Sequence, residues 1–566
     1  MARISGSKYI AETLVQYGVT HVFWVPGGDP AGIMAALEGR GVKRVLTHGE
    51  KAAAYMADGY ARATGRPGIC IVQSIGAANL AAGMADPYMA SSPVIAMTGA
   101  VDPMQRYRHS YQEFEHLQPF QAVTKHSVQV DKVQRLPDVL RQAFRTATSG
   151  SPGPVHLDIR NEALDTEADM EVVVEERFTR TPPFRPEPEA AHVREAAALL
   201  MQARKPVIVA GGGVITSGAW NEVRRLAEML TIPVATSLTG KAAIPNDHPL
   251  SAGVMGRYSR WCANRIVSDA DLVLFIGTRT GALTTADWRV PPMDVPNIQI
   301  NIDPDELGRN YPANVALLGD AQVTLQRLID AVAPREPAAE RVAEVRRVVG
   351  QWEAEYAALQ RSNAVPIRPE RLCRELTEAL PPDAILVSDT GHAGMWTGTM
   401  VELKHAGLNY IRCAGSLGWG LPGAIGVKCG APNRPVVCFT GDGGFWYHIG
   451  ELETAVRHGI SPVIVVNDNH ALNQGLAGLR RNYGGELWGD ASELIMFNDV
   501  NLAQVAQAMG CYAERVERPQ DIQGALKRAL AVGKIAVVDV ATDFEALGPT
   551  PRPGDFRLSV TTPFRP

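Results

Sequence analysis

No run of about 18 consecutive apolar residues occurs in this 566-residue sequence, so no membrane-crossing helix is expected. No pair of its seven cysteines (Cys70, Cys262, Cys373, Cys413, Cys429, Cys438 and Cys511) forms a CxxC, and the number is odd. That pattern argues against a disulfide framework or a zinc site and points to reduced thiols in a cytoplasmic protein. The opening residues, MARISGSKYIAETLVQYGV, lack the apolar core of a signal peptide and read as the start of an amphipathic helix. Basic residues are dispersed and the net charge is −5, so neither nucleic acid nor a membrane is an expected partner.

What is present is ordinary globular material, 46% hydrophobic and 20% charged, in a length that suggests about three or four domains. The 53 glycines and 39 prolines suit a chain with many βα turns. Over residues 1–165, strand patterns at 21–25, 44–47, 68–73, 94–98 and 154–159 alternate with helical ones, which implies a parallel α/β sheet. An acidic and then proline-rich stretch, 166–190, reads as a linker. Residues 190–335 form a second α/β unit. In it, Gly211-Gly212-Gly213 follows the strand 206–210, and Asp303 follows the strand 298–302. A charged helical stretch, 335–362, leads to a third unit at 366–545. Residues 546–566 carry Arg552, Arg557 and Arg565 among several prolines and read as a tail, either disordered or docked as a lid. The expected fold is therefore three doubly wound parallel-sheet α/β domains and a tail.

The most informative stretch is Gly441-Asp442-Gly443-Gly444, with Asn469 27 positions beyond Asp442. A strand runs into the glycines, a helical stretch follows, and a second strand ends at Asn467-Asp468-Asn469. In an open parallel sheet both strands end at the edge where ligands bind. Asp442 and Asn469 would then arrive together as oxygen ligands for a hard cation such as Mg²⁺, usually shared with a phosphate. The glycines would let backbone N–H groups approach that phosphate closely.

This GDGG…N constellation resembles the cofactor motif of the thiamine-diphosphate (ThDP) enzymes of the acetolactate synthase and 2-hydroxyacyl-CoA lyase type. Thr47-His48-Gly49-Glu50, running into KAAAYMADGYAR, is similar to a second signature of that group. The resemblance implies a pyrimidine-binding first domain, a middle domain and a diphosphate-binding third domain. It implies that Glu50 bonds the pyrimidine nitrogen, that the Gly415 carbonyl accepts from the aminopyrimidine, and that Leu417 forces the bent cofactor conformation. Gly391 and His392 would lie against the diphosphate with Gly441, Gly443 and Gly444. Asp442, Asn469 and the Ala471 carbonyl would hold Mg²⁺. One departure is that the usual Asn-Asn pair reads Asp468-Asn469. Gly212, among the glycines after one strand, and Asp303 after another form a plausible nucleotide cradle, and Arg160 and Asp320 fall where relatives contact ADP or FAD, so ADP in the middle domain is expected as an alternative to FAD or an empty site. Glu50 would act across a subunit interface, which makes a homodimer the minimum and a homotetramer the expectation.

For the substrate, Tyr111-Gln112-Glu113-Phe114 and the later VTKHS are similar to an active-site element of the same enzymes, with Gln112 facing the reacting carbon. Glu493, in a weakly charged stretch, reads on residue type alone as a surface residue capping a helix, and otherwise as a proton shuttle with a pKa raised by burial. The whole chain looks most like the actinobacterial 2-hydroxyisobutyryl-CoA lyases. That likeness implies reversible cleavage of a CoA thioester to acetone and formyl-CoA, with Glu493 as acid/base. Lys404, Arg480, Arg481 and the tail arginines would meet the CoA phosphates. The alternatives are an acetolactate synthase-like pyruvate carboligase and an oxalyl-CoA decarboxylase.

Overall fold

The computed structural model describes residues 2–27, 30–552 and 554. Three six-stranded parallel sheets carry the fold. The first consists of β1 (His21–Trp24), β2 (Lys43–Leu46), β3 (Gly68–Val72), β4 (Val94–Ala100), β5 (His126–Val130) and β6 (Val155–Arg160). Its order is β2-β1-β3-β4-β6-β5. The second holds β7 (Pro206–Ala210), β8 (Val234–Thr236), β9 (Ser251–Val254), β10 (Leu272–Ile276), β11 (Asn297–Asn301) and β12 (Val315–Leu318), ordered β9-β8-β7-β10-β11-β12. The third holds β13 (Ile385–Ser388), β14 (Tyr410–Arg412), β15 (Val436–Gly441), β16 (Val463–Asp468), β17 (Tyr512–Val516) and β18 (Ala536–Ala541), ordered β14-β13-β15-β16-β18-β17.

The first and third sheets therefore share one winding order, although the sequence shows no simple repeat between them. The middle sheet follows the 3-2-1-4-5-6 order of dinucleotide-binding folds. Central strands such as β3, β7 and β10 are buried along their whole length, as parallel strands covered on both faces must be. The linker has structure of its own, since Glu167–Met170 pairs antiparallel with Ala2–Ser5. Several short strands, among them β5, β8 and β17, escape the sequence pattern. Each is only three to five residues long and falls outside the apolar runs.

Two helices fix the first sheet against the third: α1 (Glu50–Thr64) and α4 (Gly420–Gly430). Between them in sequence come α2 (Gly76–Ala90) and α3 (His392–Thr399); beyond them come α5 (Asp442–Tyr447) and α6 (Glu451–His458). Helices α1 and α4 cross at backbone contact. A Cβ on Gly59 would lie 2.1 Å from the Gly423 carbonyl oxygen, and one on Gly426 would lie 1.9 Å from that of Met56. A single apolar core, including Tyr55, Met56, Leu421, Ile425 and Phe445, runs through this crossing.

The crossing is ringed by a pair of reciprocal clamps. From α2, the Asp86 carboxylate accepts the N–H groups of Ala414, Gly415 and Ser416, which lead into α4. From α6, the Glu451 carboxylate accepts the N–H of His48, which leads into α1, at 3.0 Å. Most of the tail, including Arg557 and Arg565, lies outside the described residues. Its described beginning packs back on the third domain, with the Gly548 N–H donating to His392 Nε2 and Arg552 pairing with Glu355.

Gly59→Ala is expected to lower stability by about 1–3 kcal/mol, because the added methyl has nowhere to go except by parting the two helices. The midpoint of chemical unfolding measures it, and an unchanged midpoint would show that the crossing yields freely.

Candidate functional site

Strands β13, β15 and β16 are neighbours, and their carboxyl ends form one edge. Beneath it lies Asp389, just past β13. Its carboxylate accepts from the N–H groups of Thr390 (2.7 Å), Gly418 (3.2 Å) and Gly420 (3.0 Å) and from Thr440 Oγ1 (3.1 Å). Burial pushes its pKa up to about 6 against the opposing pull of these donors. Asp389 thus ties together three of the loops that line the edge. The sequence reading did not single it out; the only signal was an acidic residue directly after a strand and before Gly391-His392.

Gly391 has φ +67°, a conformation open to glycine, and starts α3. Both ring nitrogens of His392 are engaged: Nδ1 with Asn473 Oδ1 at 2.7 Å, Nε2 with the Gly548 N–H. Gly441 caps α5 and Asp442 is its first residue. Space is tight at two of the glycines that follow, while Gly441 has none of it taken. A Cβ on Gly443 would lie 2.4 Å from Leu472, and one on Gly444 would lie 2.8 Å from Asp389 Oδ2. Gly415, by contrast, is exposed and faces open space, with Leu417 half-buried beside it.

Register places Gly441 opposite Asn467, so Asp442 and Asn469 emerge side by side. Asp442 is buried, and its Oδ2 has no hydrogen-bond partner. Burial, and then the nearby Asp468 charge, push its pKa up to about 8. An uncompensated buried carboxylate calls for a cation. Asn469 Oδ1 accepts the Ala471 N–H at 3.2 Å. Residues 470–472 pair with 495–497 through His470 O and the Leu472 N–H. The backbone groups of Ala471 itself therefore face the Asn469 side. Asp468 is not a competing donor, because Arg515 Nη1 pairs with it at 3.3 Å and His470 Nδ1 lies 3.1 Å from its Oδ1. The donor set is one carboxylate, one amide oxygen and a backbone carbonyl, with glycine-lined backbone nearby, and it fits a hard cation bridging to a diphosphate.

Glu50 opens α1, half-buried, with Asn79 Nδ2 donating to Oε2 at 3.1 Å. Among the described residues, no hydrogen bond joins it to the diphosphate edge. Gln112 has φ +60°; its Oε1 accepts from Gln73 Nε2 (3.0 Å) and its carbonyl from Ser74 Oγ (2.6 Å). It lines a cavity of about 540 Å³ with Val101, Arg106, Phe114 and Arg160.

Family models agree with this geometry. Residues 4–119 match the thiamine pyrophosphate enzyme N-terminal TPP binding domain, 193–328 the central domain, and 389–540 the C-terminal TPP binding domain. The chain belongs to the thiamine pyrophosphate (thiamine diphosphate) enzyme family. A relative named probable acetolactate synthase large subunit, from Methanocaldococcus jannaschii, is 33% identical over 99% of this chain and 96% of its own. The acetolactate synthase isozyme 3 large subunit of Escherichia coli K12 is 30% identical, with 96% of each chain covered. The isozyme 2 large subunit is also 30% identical, over 97% of this chain and 98% of its own.

These relatives overturn the expectation of a 2-hydroxyacyl-CoA lyase. That expectation rested on a whole-chain likeness and on the loop residues Gln112 and Glu493, which the similarity to acetolactate synthase large subunits outweighs. Glu493 is exposed in this ThDP enzyme, not buried, on a short turn (Ala491–Leu494) in which only Ala491 is enclosed. Arg480, expected on a CoA phosphate, pairs with Glu545 at 2.6 Å. ADP in the middle domain is not supported either. The Asp320 carboxylate is filled by Arg185, Ser217 and the N–H groups of the helix it caps. Arg160 lies in the first domain, bonded to Val101 O and Gln129. Asp303 caps a short turn, and a Cβ on Gly212 would meet Thr239.

Asp442→Asn is expected to raise the Mg²⁺ concentration needed for half-maximal ThDP binding by about tenfold or more. Tryptophan fluorescence during a Mg²⁺ titration reads this; an unchanged midpoint would remove Asp442 from the cation site.

Proposed function

We infer that this enzyme is a carboligase of the acetolactate synthase type, which decarboxylates pyruvate and joins the two-carbon unit to a second 2-oxo acid. The observation that carries this reading is similarity over nearly the whole chain to several acetolactate synthase large subunits. Bound ThDP supplies an acidic thiazolium carbon that adds to carbonyls and accepts the electron pair left by decarboxylation.

The chain's own residues do the rest. Asp442, Asn469 and the Ala471 carbonyl would hold Mg²⁺, and the backbone at Gly391, Gly443 and Gly444 would receive the diphosphate. Glu50 would hold a proton at the pyrimidine ring nitrogen, one of its oxygens steadied by Asn79. The Gly415 carbonyl would accept from the amino group and Leu417 would support the ring from below. Gln112, held by Gln73 and Ser74 on the rim of the cavity, would orient the substrate carbonyl. We assign the working unit as an oligomer, in keeping with the naming of the relatives as large subunits.

Purified protein with ThDP and Mg²⁺ is expected to convert pyruvate to acetolactate, read as acetoin after acid treatment. A cofactor-loaded preparation that leaves pyruvate untouched overturns the carboligase reading. Glu50→Gln is expected to lower kcat by about 10²–10⁴-fold while still binding ThDP. A full rate in that variant would reject the proton role.

A further inference from the structure

The loop 412–419, which carries Gly415 and Leu417, belongs to the third domain but is held by the first. Three side chains do this: Asp58 and Arg62 on α1 and Asp86 on α2. The side chains of Asp58 and Asp86 are fully enclosed and that of Arg62 nearly so. Arg62 grips Asp58 through Nε (2.8 Å) and Nη2 (2.6 Å), and Nη2 also reaches Asp86 Oδ1 at 3.0 Å. Each member then takes hold of the loop. Arg62 Nη1 donates to the Arg412 carbonyl, and Trp419 Nε1 donates to Asp58 at 2.9 Å. Asp86 accepts three successive N–H groups, from Ala414 at 2.8 Å, Gly415 at 3.0 Å and Ser416 at 2.9 Å.

The geometry of a trans peptide gives these bonds a direction. The Ser416 N–H and the Gly415 C=O belong to one planar unit and point opposite ways. With that N–H fixed on Asp86, the Gly415 carbonyl is turned away from the clamp. It lies beside a glycine that faces open space, and among the described residues nothing donates to it. The preceding unit is pinned at both ends, its N–H by Asp86 and its Ala414 carbonyl by Arg412 at 3.3 Å. Glycine would otherwise let this segment rotate freely.

We propose that Asp86, braced by Arg62, is a positioning residue that aims the Gly415 carbonyl at the aminopyrimidine of the cofactor. A bare cross-brace between domains would need one bond to the loop. Three consecutive N–H groups on a single carboxylate specify the orientation of the peptide units instead. The inference rests on the assignment of Gly415 to the amino group of ThDP. It is independent of which 2-oxo acid the enzyme takes.

The test is calorimetric binding of ThDP, and of its 4′-hydroxy analogue that lacks the donor amino group, to the full chain with Mg²⁺ present. Asp86→Asn exchanges one acceptor oxygen for a donor facing the loop's N–H groups. It is expected to weaken ThDP by about tenfold or more and the analogue by less than about threefold. An equal loss for both ligands, or no loss for either, overturns the proposal, because a merely structural brace would not distinguish them. If Asp86→Asn does not fold, Arg62→Lys keeps the central charge but loses the fork. That variant is expected to give the same preference in smaller measure, and equal losses there overturn the proposal in the same way. Failure of the pyruvate assay would leave these affinities unaffected, so the two readings fail separately.

Discussion

The contact on which the rest depends is the crossing of α1 and α4 at Gly59, Gly423 and Gly426. It brings two sheets of identical winding together through backbone contacts at Gly59 and Gly426. Interiors packed at crystal-like density do not deform continuously, so this contact sets the domains' relative position to a fraction of an ångström. Both loops that lead into the crossing helices are then caught by carboxylates of the opposite domain, Asp86 on one side and Glu451 on the other. A duplicated architecture has turned the same local position to two uses. After β2 the loop delivers Glu50; after β14 it delivers Gly415 and Leu417.

Electrostatics at the cofactor edge follow one rule in two forms. Where a buried carboxylate is meant to hold the protein together, its valences are filled. Asp389 collects four donors, Asp86 collects three N–H groups and an arginine, and Asp468 leans on Arg515. At Asp442, proposed to hold the cation, one oxygen is left bare. Leaving a buried charge short of partners costs stability, which a bound cation restores.

The substrate side is built differently. Gln112, proposed to orient the substrate, sits on a loop with several residues at positive φ. Among the described residues, this loop lacks the cross-domain clamps of the cofactor edge. Specificity can drift there without disturbing the machinery, which is why motifs that locate ThDP say little about what ThDP attacks.

The sequence by itself determined the class of fold and the identity of the cofactor. The strand–helix alternation, the GDGG run and an asparagine 27 positions on are local patterns, and local patterns survive in one dimension. It could not give the clamps. Asp58, Asp86 and Asp389 read as ordinary acids along the chain. Their partners lie 361, 328 and 51 positions away in sequence, at Trp419, Ala414 and Thr440. Nor could it show that Asp320 is fully engaged, that Glu493 is exposed, or that Asp442 keeps a bare oxygen. Burial and hydrogen-bond saturation are properties of neighbours in space. Only the packing of three sheets decided which of the acidic residues hold the protein and which wait for a ligand.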